Sequence, residues 1–359
     1  MFQKGLKGVV AVQTSISSVD GDKGELRYRG KLVDEVIKGK SFEETAHFLW
    51  HGKSRDSVEL EEWKASFLKF RKVPEHIVEI AKLLPKEASI MDGLRTLISA
   101  YSSQAFSRIP SEQQALSLVS VFPVLTALLY RLQQGLPIIE PRDDLNHTAN
   151  YLWMLRGTEP TVAQIEALET YLKLSMEHGM NASTFAARVT VSTESDMVSA
   201  LTSAIGTMKG PLHGGAPSGV INLLEEIQSP ERIELVIKNK LDRGEKIMGF
   251  GHRVYRTEDP RSILLRNACL ALEGEDAWLD LAVSAEQEII RLLNERKPGR
   301  ALYTNVEFYA AAIMRSIDMP PALFTPTFSV ARIVGWTAHV LEQQRDNVIF
   351  RPQSEYIGN

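Results

Sequence analysis

The sequence predicts an all-α globular protein with one small β-hairpin region near its N-terminus. Three observations lead there. Capping boxes open apolar stretches of helical period, Gly and Pro gather in a few breaks, and strands do not alternate with helices as a parallel α/β sheet requires. At roughly 150 residues per domain, 359 residues correspond to two or three domains. That length is enough to bury a large core.

Taken in order, Val9-Val10-Ala11-Val12 and Glu25-Leu26-Arg27-Tyr28 read as strands flanking turns at Asp20-Gly21 and Lys23-Gly24. Ser41-Phe-Glu-Glu44 then starts a helix whose Phe42, Ala46 and Leu49 share a face. The most apolar stretch, Leu118 to Tyr130, is broken by Pro123 and falls short of the ~20 residues that span a bilayer, so it reads as a buried core helix. Thr161-Val-Ala-Gln164 is a second capping box, followed by Ile165, Leu168, Leu172 and Met176 at helical spacing. Trp278, Leu281, Ala285, Ile289 and Leu292 form a further stripe, and Phe328, Ile333, Trp336 and Val340 another. No repeat of roughly 30–50 residues is visible, which disfavours a solenoid.

Hydrophobic residues at 44% and charged residues at 24% are ordinary for a globular protein and exclude disordered or low-complexity classes. Lys plus Arg number 41 against 45 Asp plus Glu, a net charge of −4, so there is no basic excess for a nucleic-acid partner. The single Cys269 excludes an internal disulfide and a cysteine-rich zinc module. The first residues lack the apolar core of a signal peptide, so a cytoplasmic protein without a membrane partner is expected.

Two familiar signatures fail. Gly52-Lys53-Ser54 ends like a phosphate loop, but His47 stands where the first glycine belongs. Gly249-Phe-Gly251 starts like a dinucleotide fingerprint, but Val254 replaces the last glycine and no strand precedes it.

A constellation remains. His213 sits in Pro-Leu-His-Gly-Gly-Ala-Pro, where glycines allow close approach of a ligand and imidazole suits proton transfer near neutrality; a capped turn with an incidental histidine is the alternative. His252 lies in Gly-Phe-Gly-His-Arg-Val-Tyr-Arg256, with Arg261 close behind. Those guanidinium forks match carboxylates or phosphates, and a solvated charged loop is the competing reading. His178 and Asn181 follow a helix, where capping is the commoner role. Arg332 interrupts an apolar stripe and needs an anionic partner, Arg351 lies beyond it, and Glu307 is bracketed by aromatics that would raise its pKa. A metal shared by the three histidines is conceivable, yet the arginines and glycines favour an organic anion.

In this order and spacing, Leu26-Arg-Tyr-Arg-Gly30, Glu177-His178, Pro-Leu-His213-Gly-Gly-Ala, Gly-Phe-Gly-His252-Arg-Val-Tyr, Asp-Pro-Arg261, Tyr-Thr-Asn-Val-Glu307 and Arg351-Pro resemble the citrate synthase family over essentially the whole chain. The likeness is to its short bacterial, Bacillus-type form. The resemblance implies a two-domain helical fold, with residues 1–213 and 313–359 as a large domain and 214–312 as a smaller, inserted one. It also implies condensation of acetyl-CoA with oxaloacetate, with His213, His252 and Glu307 catalytic and no metal or redox cofactor. By the same resemblance, oxaloacetate would be held by His178, Asn181, Arg261, Arg332 and, from the second subunit of a homodimer, Arg351. Met248, Gly249, Phe250, Gly251, Arg256, Lys297 and Arg300 would bind CoA.

One position departs from the family. Most members carry Asp where this chain has Glu307. The rivals are a 2-methylcitrate synthase using propionyl-CoA and a weakly active paralogue that senses oxaloacetate or CoA.

Overall fold

The chain is described by a computed structural model over residues 2–54, 56–101, 106–214, 217–252, 254–270, 277–300 and 302–358. Gly215, Ala216 and Arg253, members of the glycine-rich motifs, lie outside the described residues, as do the side chains at 57, 217, 218 and 277.

Helices begin where a short polar side chain can take up a free backbone N–H. Both predicted capping boxes form, Ser41 with Glu44 and Thr161 with Gln164, and a third unites Ser111 with Gln114. Asn146, Asn181 and Asp196 cap three more starts. Sixteen α-helices result among the described residues, beside a three-stranded antiparallel sheet.

The sheet corrects one expectation. Val9–Val12 is not a strand, and Val9 and Val10 are exposed. The partner of Glu25–Tyr28 is Ser17–Asp20, in the register Ser17↔Tyr28 to Asp20↔Glu25, with Lys31–Leu32 on the far side. Asp20 decides this register, because its Oδ1 accepts the N–H groups of Asp22 and Lys23 and closes the turn immediately after it. The turn glycines also have a second role. A Cβ on Gly21 would collide with the Val254 carbonyl, and one on Gly24 would reach 2.5 Å from Thr257 Oγ1. The hairpin therefore lies flat against residues 254–258, and Arg256 N–H donates to Gly21 O at 2.9 Å.

The apolar stretch around Pro123 belongs to a helix longer than expected. Glu112–Gln133 runs through the proline for 22 residues and by length and composition is apolar enough to cross a membrane. Its most apolar window is 83% buried inside the protein, as a core helix would be. Phe324–Arg345 packs against it and against Val162–Ser175, Ala182–Ser192 and Met197–Met208. The predicted stripe residues Ile333, Trp336 and Val340 are fully buried there. Pro217–Ile227, Ile233–Asp242, Pro260–Leu270, Ala277–Arg296 and Val306–Ser316 pack among themselves, and the third and fifth of these also touch Val162–Ser175.

Gly335 marks the closest crossing in this core. A Cβ there would overlap Met176 O and approach Glu177 Oε2 at 2.5 Å. Gly335→Ala should cost about 1–3 kcal/mol, typical of overpacking, read as a lowered urea midpoint with unchanged slope. An unaltered midpoint would mean that the crossing can open without strain.

Candidate active site

The site is assembled where four loops meet the buried face of Phe324–Arg345. Tyr28 knots the end of Val162–Ser175: its buried hydroxyl lies 3.1–3.3 Å from the carbonyls of Lys173, Leu174 and Glu177. Glu177 and His178 follow directly. His213 ends a turn after Met197–Met208, its N–H bonded to Gly210 O.

The glycines before His252 serve backbone geometry. Gly249 and Gly251 take φ of 87° and 83°, and a Cβ on Gly249 would meet Phe308 at 2.9 Å. Gly251 N–H donates to Tyr303 O, Asn305 N–H to Gly249 O, and Asn305 Nδ2 to Gly251 O, at 2.7–2.9 Å. Residues 249–251 are thus stitched to 303–305, which sets His252 beside the start of the helix carrying Glu307.

His252 Nδ1 accepts N–H bonds from Val254 and Tyr255 at 3.0 and 3.1 Å. That bonding assigns the proton to Nε2. Arg261 Nη2 lies 3.5 Å from the same Nε2, so two donors converge on one point, an arrangement that an anion or ketone oxygen would relieve. His178 packs edge-on against His252 at 5.4 Å, and its Nε2 lies 3.1 Å from Tyr255 Oη.

Two arginines are buried here. Burial opposes the charge of Arg261, but Asp259 outweighs it through a fork of 3.0 and 2.7 Å bonds from Nε and Nη2. Arg332 donates Nε–H to Ser175 O at 2.8 Å and sits 4.7 Å over the Phe328 ring; its Nη groups have no hydrogen-bond partner among the described residues. Their field acts on every titratable group nearby. Burial first, then Arg261 for His252 and Arg332 for His213, lowers each of these histidines to about 4. His178 is pushed well below its ordinary value by burial and then by Arg261 and Arg332. All three are neutral donors or acceptors at physiological pH.

His213 Nε2 lies 2.8 Å from Ser183 Oγ and 3.4 Å from Ser183 N–H, so Nε2 is assigned as the acceptor and Nδ1 as the donor. Glu307 is the second residue of Val306–Ser316, in its first turn, its N–H bonded to the Asn305 cap. Its carboxyl is raised to about 7 by burial, with Arg261 working against the rise. The three expected catalytic side chains, with His178, Arg261 and Arg332, therefore share one electrostatic neighbourhood.

Other expected residues do not join them in this chain. Asn181 Oδ1 is engaged as a helix cap, accepting from Thr184 N–H. Arg351 is exposed in the extended C-terminal segment. Arg256 is exposed and 3.4 Å from Asp22, on the hairpin side. Lys297 lies at the end of the Ala277–Arg296 helix and Arg300 is exposed beyond it. Met248 is partly exposed, whereas the Phe250 ring is engaged with Phe308 at 5.1 Å.

The structure adds residues that the sequence reading did not select. Ser183 aligns His213 and in turn accepts Trp336 Nε1–H at 3.0 Å. Asp259 fixes Arg261. Glu177 is fully buried, bonded by Ser17 Oγ–H at 2.9 Å and 3.1 Å from His339 Nε2, while Arg188 Nε–H donates to His339 Nδ1 at 2.9 Å. Burial alone would raise the Glu177 carboxyl, yet His339 and Arg332 hold it below its usual range. Only a charged residue inside an apolar helix face could have signalled this string, and Arg332 alone was read that way.

A helical fold that gathers two buried arginines, three neutral histidines and a carboxyl titrating near 7 has the chemistry of an enzyme site suited to a small organic anion. The citrate synthase C-terminal domain model matches residues 5–353, and the chain belongs to the citrate synthase family, which makes it an acyltransferase. It is 41% identical to citrate synthase 2 of Bacillus subtilis over 99% of this chain and 95% of that one. It is also 37% identical to the citrate/2-methylcitrate synthase of the same organism, over 99% and 96%. The solved citrate synthase of Thermotoga maritima superposes with a TM-score of 0.89 at 39% identity, covering 100% of this chain and 96% of that one. The Thermoplasma acidophilum enzyme, solved as a ternary complex with carboxymethyl coenzyme A and oxaloacetate, superposes at 0.91 and 29% identity, covering 100% and 97%.

A raised carboxyl pKa has a stability signature. Glu307 titrates near 7 when folded and near 4.3 when unfolded, so above about pH 7 its charge opposes folding, and that opposition fades as pH falls toward 4. Glu307→Gln should therefore exceed the parent in urea midpoint at pH 8, with the advantage shrinking by pH 5. An equal advantage at both values would mean that the carboxyl is well solvated.

Proposed function

We propose that this protein condenses acetyl-CoA with oxaloacetate and hydrolyses the resulting citryl-CoA, releasing citrate and CoA. The observation that carries this reading is Glu307, a carboxyl titrating near 7 among neutral histidines and buried arginines. A methyl group next to a thioester is weakly acidic, so a base near neutrality and a donor to the developing enolate oxygen are both required.

In this reading Glu307 takes the methyl proton while His213 Nδ1–H stabilises the oxygen. His252 Nε2–H donates to the oxaloacetate ketone, drawing electron density from the carbon that forms the new bond. Arg261, Arg332 and His178 hold the oxaloacetate carboxylates, with Arg351 of the partner subunit completing the set in a cytoplasmic homodimer. Asn181 contributes through the cap that anchors Ser183. CoA lies along Met248 to Gly251, with Arg256, Lys297 and Arg300 near its phosphates, and residues 214–312 close over the site. The chemistry needs no metal or redox cofactor.

Oxaloacetate-dependent release of free thiol from acetyl-CoA tests the activity, and its absence in folded protein would favour the sensor. Glu307→Gln should abolish turnover. Glu307→Asp should raise it, because the longer side chain misplaces the carboxylate and ~1 Å of misplacement costs on the order of a hundredfold. A slower Asp variant beside a fully active Gln variant would overturn the base assignment.

At saturating oxaloacetate, kcat/KM for acetyl-CoA should rise with pH through a limb at or above about 7, since a bound dianion adds to the burial that already raises Glu307. A limb near pH 5 would place the proton transfer elsewhere.

The relative named citrate/2-methylcitrate synthase favours a second reading, in which propionyl-CoA is also accepted. One methylene changes selectivity by only ~1–3 kcal/mol. The ratio of kcat/KM for acetyl-CoA and propionyl-CoA separates the two.

A further inference from the structure

A second cationic cavity lies away from the histidines. It has a volume of about 460 Å³ and sits between the ends of Glu112–Gln133 and His147–Arg156 and the link from Val306–Ser316 to Phe324–Arg345. Its lining includes Arg131, Arg156, Tyr130, Thr158 and, on the link, Asp318 and Met319, and it shares no residue with the catalytic group. That volume falls in the range of small-molecule sites.

The two arginines differ. Arg131 is buried and donates Nε–H to Pro137 O and Nη1–H to Leu155 O, the latter at 2.8 Å. Its guanidinium is fixed by neutral carbonyls, which leave its charge uncompensated. Arg156 is half-buried and makes no hydrogen bond or ion pair with any described residue, and its Nη2 is completely enclosed without a partner. Burial lowers its pKa, with only Asp318 working against that. A guanidinium held at a cavity wall with no bonded anion is costly, and the cost falls when an anion binds it directly.

We propose that this cavity binds a small organic carboxylate with a short apolar tail. The carboxylate meets Arg156 and Arg131, and the tail lies on Leu136, Leu155 and Met319. Tyr130 and Thr158 offer hydroxyls at the wall. The exposed Asp318 at the rim repels a multiply charged anion such as a nucleotide or phosphate, and the apolar wall of Leu136, Leu155 and Met319 offers such an anion nothing to bond.

Calorimetric titration of the full chain with butyrate, and separately with inorganic phosphate, tests this. Butyrate should bind with a millimolar Kd and phosphate should not. Arg156→Met should weaken butyrate at least about tenfold while thiol-release activity, and hence the fold, persists. Leu136→Trp, which crowds the cavity from its partly exposed rim and leaves both arginines in place, should also weaken binding. Butyrate bound equally by Arg156→Met, as it would be at the catalytic arginines, overturns the proposal. So does the absence of heat with the parent protein, or binding of phosphate alone.

Discussion

Arg261 and Arg332, each only a few per cent exposed, are the constraint around which the site is organised. A buried guanidinium without compensation is among the costliest groups a fold can contain. The two arginines are compensated differently. Arg261 has its own carboxylate two residues away in Asp259. Arg332 receives only a carbonyl and an aromatic face at close range, with Glu177 supplying opposing charge nearby. Burial and, after it, the remaining positive potential keep three histidines neutral, and that potential also restrains the rise of the Glu307 carboxyl. In the proposed reaction, substrate recognition and acid–base tuning are thus two effects of one charge arrangement.

Behind Arg332, that arrangement extends to the first residues of the sheet. Ser17 and the buried Glu177, His339 and Arg188 form a polar string, with Glu342 beyond it accepting from Ser15. Gly335 lets the Phe324–Arg345 helix come close enough to Met176 and Glu177 for the string to close. Packing and electrostatics are inseparable at that point, since one added methyl would displace a carboxylate.

Much of this was legible in the residues. Helix starts were readable because Ser41 and Thr161 cap through local side-chain bonds that sequence spacing specifies. The histidines, Arg261, Arg332 and Glu307 were readable because their chemistry is unusual beside glycine or within an apolar stripe. What was not legible depends on long-range approach. Val9–Val12 has the composition of a strand, yet the turn bonds of Asp20 give that place to Ser17–Asp20. The glycines at 249 and 251 begin like a dinucleotide fingerprint, and only the fold shows that they bond the backbone to residues 303–305. Pro123 looked like an interruption and is absorbed within one helix. Ser183 holds His213 through an ordinary side chain that nothing in the sequence distinguishes, and Asp259, though part of the Asp-Pro-Arg261 motif, shows its hold on Arg261 only in the fold.

The contact of Gly21 and Gly24 with residues 254–258 carries a consequence for biosynthesis. The loop that bonds His252 Nδ1 through Val254 and Tyr255 rests on a hairpin that leaves the ribosome long before it does. The hairpin is therefore a mould, available early, whose casting is made late. Until the loop arrives, its flat glycine face has nothing to lie against, and until the hairpin is in place the His252 loop lacks the surface that shapes it. Maturation of the site then requires the two ends of the synthesis order to meet, so a nascent chain can have most of its helices in place and still lack the bonds that fix the His252 tautomer.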